Sequence, residues 1–301
     1  MLHNDRELFE QFVLRTSDAL GIEAGIVEKD YYVTLFLKGI SERQPDIIFK
    51  GGTSLSKCYK LIDRFSEDID LNLECADHPT QGQRKMLKAN IIAVIESMGL
   101  HLRNPDDVLS RRDYNRYIVD YPIVANADYL KPQLIVETAV HIRAYPSKRM
   151  AASSFIHDYL SQINRFDLIS EHNLEPFELN VQSAERTFID KLYALGDYYL
   201  ANRVTEHSRH IYDLYRLSSV VEINDDLKLL AKTVADDRKP HKACLSVQNG
   251  VDIHQLLQEI IDKDAYKGDY ENITSSLLFE KVDYQTVIAV LQQIVDSKLF
   301  D

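Results

Sequence analysis

The residue types best suited to chemistry lie in two nearby stretches, Phe49-Lys-Gly-Gly-Thr-Ser-Leu-Ser-Lys57 and Arg64-Phe-Ser-Glu-Asp-Ile-Asp-Leu71. From Asp68 to Leu73 polar and apolar residues alternate strictly. A strand with that pattern puts Asp68, Asp70 and Asn72 on one face and Ile69, Leu71 and Leu73 against a core. The two carboxylates then stand about 7 Å apart along the strand, at ~3.4 Å per residue. Without a cation they repel, and one tends to stay protonated. With one, they suit Mg²⁺, which keeps waters and substrate phosphates as its other ligands. Taken alone, Asp-x-Asp reads as a solvent-facing polar strand face.

The glycine stretch favours the metal reading. A short apolar run, Ile47-Ile48-Phe49, enters Gly51 and Gly52, then the hydroxyl residues Thr53 and Ser54, then a helix. Glycine lets backbone approach an anion closely, and the free N–H groups at a helix start attract phosphate. Thr53 and Ser54 add hydroxyl donors. Lys57, about one turn further on, could reach the same anion. The Gly-x-x-x-x-Gly-Lys-Ser/Thr spacing of a Walker loop is absent. A tight strand-to-helix turn also explains the glycine pair when it is taken alone.

The surrounding elements must position these groups. Two N-terminal helices are expected, one capped by Asn4 or Asp5 and running to Leu20, the other over Glu23–Gly39. Then come a strand at Ile47–Phe49, a helix over Ser54–Ile62, the Asp68–Leu73 strand, and a helix over Gln81–Met98. Strands are expected at Arg116–Val124 and Gln133–Val140. Residues 45–145 should therefore hold one mixed sheet. After Pro146, helices are expected over Met150–Ile163, Ser183–Leu200, Glu206–Val220, Leu227–Val234, 251–262 and 284–299, with one further strand at Phe177–Val181. No internal repeat is present. Two domains follow, 1–150 and 151–301, with the boundary somewhere in 146–180.

Composition narrows the function classes. Lys and Arg number 35 against 47 Asp and Glu, a net charge of −12. A generally basic nucleic-acid coat is excluded, although a local basic groove is not. No apolar run approaches the ~20 residues of a membrane-spanning helix, so no membrane partner is expected. The N-terminus shows no signal-peptide pattern. Three scattered cysteines, Cys58, Cys75 and Cys244, suggest neither a disulfide framework nor a zinc site and fit a cytoplasmic protein. The histidines lack the His-Glu-x-x-His spacing of a metal helix.

Lys50-Gly-Gly-Thr-Ser-Leu and Ser66-Glu-Asp-Ile-Asp-Leu71 resemble the signature of the AbiEii/AbiGii toxin family, within the polymerase-β-like nucleotidyltransferase superfamily. Fifteen residues lie between Gly52 and Asp68, a slightly long spacing for this pattern. Val27-Glu-Lys-Asp-Tyr-Tyr-Val33, Ala184-Glu-Arg-Thr-Phe-Ile-Asp-Lys-Leu192 and Ser208-Arg-His-Ile-Tyr-Asp-Leu-Tyr-Arg-Leu217 extend the resemblance over residues 25–220. It implies an α/β (α+β) fold: a nucleotidyltransferase-type mixed sheet flanked by helices, then a mainly helical C-terminal domain that completes the active-site cleft.

The resemblance also implies site roles. Asp68 and Asp70 would bind Mg²⁺ (or Mn²⁺), with Glu137 in Leu134-Ile-Val-Glu-Thr-Ala139 as the candidate third carboxylate. Gly51, Gly52, Thr53, Ser54 and Lys57 would hold the phosphates of a nucleoside triphosphate (NTP). The family places a functional lysine and aspartate at Lys191 and Asp213, and Arg209 would add charge near the nucleotide. On their own merits, Lys191 at the edge of an apolar helix stripe reads as a solvated lysine. Arg209 and Asp213, at i and i+4, read as a surface salt bridge. Glu137 could pair with an arginine such as Arg143, and Asp120 is a weaker competitor for the metal. Arg103, Arg111, Arg112 and Arg116 are interleaved with acids; they line an RNA-facing groove or are solvated loop charge. Tyr198-Tyr199 reads as core and edge rather than a stacking platform.

The implied function is Mg²⁺-dependent transfer of a nucleoside monophosphate from an NTP to an acceptor hydroxyl. The setting is the toxin of a toxin–antitoxin or phage-defence pair, with tRNA 3′ ends as acceptor and a cognate antitoxin as partner. The alternatives are a small-molecule, aminoglycoside-type nucleotidyltransferase and a catalytically inactive binding module of the same fold.

Overall fold

The computed structural model describes residues 1–64, 66, 68–75, 78–125 and 132–300; Phe65 and Glu67 of the second motif fall outside them. The chain forms two compact units. The first comprises Met1–Cys58 and Ser66–Val181, the second Tyr59–Phe65 and Gln182–Asp301. The second unit thus starts at Gln182 rather than 151, because residues 151–181 are committed to the sheet of the first unit and the helices packed on it.

The first unit runs α1 (Arg6–Leu20), α2 (Ala24–Arg43), β1 (Ile47–Lys50), α3 (Gly51–Lys57), β2 (Asp68–Leu73), α4 (Gln81–Ser97), β3 (His101–Leu102), β4 (Tyr114–Asp120), β5 (Gln133–Ala139), β6 (Ser147–Ala152), α5 (Phe155–Gln162), α6 (Phe166–Glu171) and β7 (Phe177–Gln182). The seven strands form one sheet in the order β3-β4-β5-β2-β1-β7-β6. It is mixed: β1 runs antiparallel to β2 and parallel to β7, and β2 runs parallel to β5, which is antiparallel to β4. The Asp-x-Asp strand is therefore the central one.

Strand alternation sorts the two sheet faces. Phe49, Ile69, Leu71, Val136, Tyr117 and Val119 are fully or almost fully buried. Helix α2 packs against α1, α4, α5 and β5; eleven of its residues are buried, among them the charged Glu28 and Lys29. Glu28 is satisfied by the Val124 and Ala125 N–H groups at 2.8 and 2.9 Å, and burial raises its pKa above the ordinary carboxylate value.

Two expected elements changed. The helix expected over Met150–Ile163 is strand β6 followed by α5, whose N-cap is Ser154, accepting the His157 N–H. Sheet-edge pairing overrides the helical preference of Met150-Ala151-Ala152. The helix expected over Ser54–Ile62 starts at Gly51 and stops at Lys57, because Tyr59–Phe65 leaves for the second unit. The described part of that unit runs α7 (Ala184–Leu200), α8 (Arg209–Leu217), α9 (Asp225–Arg238), α10 (Ile253–Asp262), α11 (Lys267–Asp269), a π-helical turn at Tyr270–Thr274, α12 (Ser275–Leu277) and α13 (Tyr284–Asp296). Among the described residues no helix is long and apolar enough to cross a membrane.

Lys57 carries a structural load. Its ammonium contacts Asp30 Oδ1 (2.6 Å), Thr34 Oγ1 (2.7 Å) and the Ser153 carbonyl (3.0 Å), and the residue is 5% exposed. Those three acceptors match its three protons. Asp30 also accepts the Phe155 N–H through Oδ2. Removing one partner of such a buried pair strands the other. Lys57→Met should therefore lower unfolding free energy by about 3 kcal/mol or more, measured by urea denaturation. A folded Lys57→Met protein should bind nucleotide as the wild type does.

Candidate active site

The glycine motif and the Asp-x-Asp motif meet at one turn. Strand β1 ends at Lys50, and α3 starts at the next residue. Gly51 has φ +77°, a left-handed conformation that glycine adopts without a Cβ penalty. A Cβ there would stand 2.0 Å from Asp70 Oδ2 and 2.9 Å from Asp70 Cγ. Glycine is thus required twice over, by conformation and by the carboxylate packed against it.

The hydroxyls expected to meet phosphate serve the turn instead. Thr53 Oγ1 donates to the Asp68 carbonyl (2.6 Å), with Ser66 Oγ 3.0 Å away. Ser54 Oγ donates to the Gly51 carbonyl (2.8 Å), and both residues are buried. Thr53 so ties α3 to the first residue of the Asp-x-Asp strand. Lys57, as described above, is spent inside the unit. Of the five residues expected at the phosphates, Gly51, Gly52, Thr53 and Ser54 still offer there the main-chain N–H groups of the helix start.

The acidic face has a definite register. Lys50 lies opposite Asp70, Asp70 opposite Glu137, and Glu137 opposite Arg116. Across four adjacent strands this makes a row of charges: plus, minus, minus, plus. Asp68 lies on the same face two residues along. Asn72, the next residue on that face, is buried and donates to the Ile142 carbonyl (2.7 Å). The arginine beside Glu137 is Arg116 (3.5 Å), across the strand, rather than the Arg143 that sequence proximity suggests. The Tyr114 phenol lies on the same side as Glu137; burial first, and that carboxylate second, push the phenol upward from its ordinary pKa. Asp120 is taken by Arg103, in a fork at 2.6 and 3.0 Å.

Among the described residues no group of three His, Cys, Asp or Glu side chains is poised around a metal ion. Glu137 shares the face of Asp68 and Asp70 but does not complete a preformed triad. The donor set still fits a hard cation. The carboxylates are oxygen ligands, and the Asp70 carboxylate sits against the glycine turn. Mg²⁺ needs only one or two carboxylates when substrate phosphates supply the rest.

The second unit holds the other charged centre. Asp213 on α8 is fully buried. Arg64 grips it with a fork, Nε to Oδ1 at 2.7 Å and Nη2 to Oδ2 at 2.8 Å, and Lys191 on α7 reaches Oδ2 at 2.5 Å. Sequence spacing suggested a surface pair of Asp213 with Arg209; the carboxylate is instead a buried hub. Burial would raise its pKa, but the charges of Arg64 and Lys191, with their hydrogen bonds, outweigh burial and hold it below the ordinary range. Burial pushes Lys191 down from the usual lysine value against the pull of Asp213, while Arg64 and Arg209 push in the same direction as burial.

Arg64 is the residue that sequence reading missed. Its signal was its place four residues before Asp68, but nothing in the spacing linked it to Asp213. Next to this centre, Tyr198 stacks face to face on His207, with centroids 3.4 Å apart and planes within 7°. Burial first, and then Lys191 and Arg209, push the His210 imidazole well below its ordinary pKa. A cavity of about 610 Å³ also lies in this unit, lined by residues such as Tyr193, Lys232 and Phe300; none of Arg64, Lys191 and Asp213 borders it.

A family model described as the nucleotidyl transferase AbiEii toxin of type IV toxin–antitoxin systems matches residues 35–293. The chain belongs to this family. It is a nucleotidyltransferase, and membership implies an NTP substrate and an antitoxin partner. No curated protein matches the chain. Among solved structures it is similar to MenT4, a nucleotidyltransferase toxin from Mycobacterium tuberculosis H37Rv. The TM-score is 0.53 at 18% identity, over 97% of this chain and 89% of that one. At that identity the likeness concerns the fold: a mixed sheet with flanking helices, as the sequence implied.

Replacing Gly51 tests the turn. Gly51→Ala forces a left-handed alanine, at about 1–2 kcal/mol, and displaces the Asp70 carboxylate. Thermal unfolding should shift by a few degrees, whereas nucleotidyl transfer should fall by about 100-fold or more.

Proposed function

We propose that the protein transfers a nucleoside monophosphate from an NTP to the 3′-terminal hydroxyl of tRNA, in an Mg²⁺-dependent reaction. Mn²⁺ would serve in place of Mg²⁺. The observation that carries this reading is the Asp70 carboxylate packed on the Gly51 turn, with Asp68 beside it on the central strand.

Asp68 and Asp70 would hold the metal, which when bound neutralises phosphate charge and acidifies the acceptor hydroxyl. Gly51 and Gly52 give the phosphates a backbone without side chains to approach. Glu137 adds a third carboxylate to the same face, steadied by Arg116. In the second unit, the family resemblance gives Lys191 a charge-balancing role, with Asp213 fixing the direction of that ammonium and Arg209 adding positive charge on the same unit. The acceptor oxygen attacks the α-phosphorus, the bond from that phosphorus to the bridging oxygen breaks, and pyrophosphate leaves with the electron pair. Most of the acceleration then comes from positioning and charge neutralisation.

The tRNA acceptor and phage defence follow from the family resemblance read in the sequence, and a cytoplasmic setting from the three scattered cysteines. Blocking the acceptor end of tRNA stops translation, which is how the protein would act as a toxin until its antitoxin intervenes.

Incubation with each labelled NTP, MgCl₂ or MnCl₂ and total tRNA tests this reading. Label should enter tRNA with the wild type and fall by about 1,000-fold or more with Asp68→Ala/Asp70→Ala, or on adding EDTA. Transfer that survives the double substitution would defeat the metal assignment. Label in an aminoglycoside but not in tRNA would move the acceptor to the small-molecule class. Label in no acceptor would leave a binding module.

A further inference from the structure

The cavity of about 610 Å³ is lined entirely by residues of the helical unit. Its size falls within the range of about 300–1,000 Å³ usual for ligand pockets. Helix α9 supplies one wall: Lys228, Lys232, Ala235 and Lys239 all border the cavity. They stand at i, i+4, i+7 and i+11, and so share one face of the helix. Lys239 lies just past the last turn but keeps helical dihedrals (φ −57°, ψ −37°). The stripe therefore runs unbroken over about 16 Å, and Ala235 adds no bulk in the middle of it. The half-buried side chains of Val251, Ile253 and Phe300 add apolar lining. Leu229, 65% exposed, carries that lining out to the surface.

Among the described residues no carboxylate pairs with any of the three lysines. Asp236 is the one acid in the lining, which leaves a net charge of +2 there, in a chain whose total is −12. The arginines expected to face RNA are placed differently. Arg103 is forked on Asp120, Arg116 lies 3.5 Å from Glu137, and Arg112 donates to the Asp107 carbonyl. Cations bind a nucleic-acid strand by displacing its counterions, and a cation already paired within the protein gains less by doing so. A single carboxylate or phosphate would meet only one or two of three charges spread over such a length. Successive phosphates of a strand would meet all of them. An apolar cleft beside the row gives an unstacked base a place out of water, the combination by which single strands are held.

We propose that the lysine stripe of α9 and the cleft beside it bind single-stranded RNA, with phosphates along Lys228, Lys232 and Lys239 and one base in the cavity. The choice of RNA among polyanions rests on the tRNA acceptor proposed above. The helical unit then holds the acceptor strand through residues that take no part in the glycine turn, the Asp-x-Asp strand or the Asp213 cluster.

The test is fluorescence anisotropy of a short labelled single-stranded RNA with the full chain, without NTP or metal, between about 50 and 200 mM KCl. Thermal unfolding is followed in parallel. The variants are Lys228→Gln/Lys232→Gln/Lys239→Gln, Ala235→Phe, and the control Arg15→Gln/Lys85→Gln/Lys281→Gln, which removes three exposed cations elsewhere. The stripe variant should bind about tenfold more weakly or worse. Its plot of log affinity against log salt should be shallower by about 2, at ~0.7 for each lost phosphate contact. Ala235→Phe fills the cleft and keeps the lysines, so it should bind about tenfold more weakly with an unchanged slope. The control should stay within about threefold of wild type, and both charge variants should unfold near the wild-type temperature. A stripe variant with wild-type affinity and slope would overturn the proposal, as would a control weakened as much as the stripe variant. Displacement of the RNA by polyglutamate of equal charge as readily as by unlabelled RNA would also overturn it, in favour of an acidic protein partner. Binding is read apart from transfer. A chain that binds RNA through the stripe but labels no tRNA would refute the transfer reading alone, and equal tRNA labelling with and without the stripe lysines would refute this proposal alone.

Discussion

A carboxylate wholly removed from water has to be neutralised where it lies, and Asp213 is such a carboxylate. Its neutralisation recruits Arg64 from a segment far away in sequence, between the glycine turn and the Asp-x-Asp strand. Much of the architecture follows from that demand. Helix α3 ends at Lys57, residues 59–65 enter the helical unit, and the chain resumes as the central strand at Asp68. The extra length between Gly52 and Asp68 is this excursion. Truncating Asp213 would leave two buried cations without their shared carboxylate, which costs far more than the intact cluster contributes.

The acidic face is organised by a gentler version of the same constraint. Asp70 and Glu137 face each other across two parallel strands, an arrangement that repels. The repulsion is bounded by cations on the two outer strands, Lys50 beyond Asp70 and Arg116 beyond Glu137. These side chains are only partly buried, so each surface pair is worth little. The row therefore tolerates two adjacent carboxylates.

Several residues that looked like ligands proved to be scaffold. Thr53, Ser54 and Lys57 have the right types and spacing for phosphate binding, yet their polar atoms are consumed by the Asp68 and Gly51 carbonyls and by Asp30, Thr34 and Ser153. Buried polar groups are satisfied nearly without exception. Once α3 packs into the first unit, these side chains must find partners inside it. What remains for chemistry at the turn is its backbone and the carboxylate resting on it.

The sequence by itself determined the alternation that separates Asp68 and Asp70 from Ile69, Leu71 and Leu73, the glycine pair at the strand end, and the α/β-then-helical order. Each of these is local: side-chain period, backbone freedom and propensity act within a few residues. It also singled out Lys191 and Asp213, through motif resemblance rather than spacing. Only the tertiary structure decided that Asp213 belongs to Arg64 and Lys191 instead of Arg209, that Glu137 meets Arg116, that residues 147–152 pair as an edge strand, and that the units divide at 181 with a seven-residue excursion. Those outcomes turn on which buried charge is nearest which counter-charge once the chain is compact. That is a matter of distances between residues up to 149 positions apart, and it leaves no trace in local periodicity.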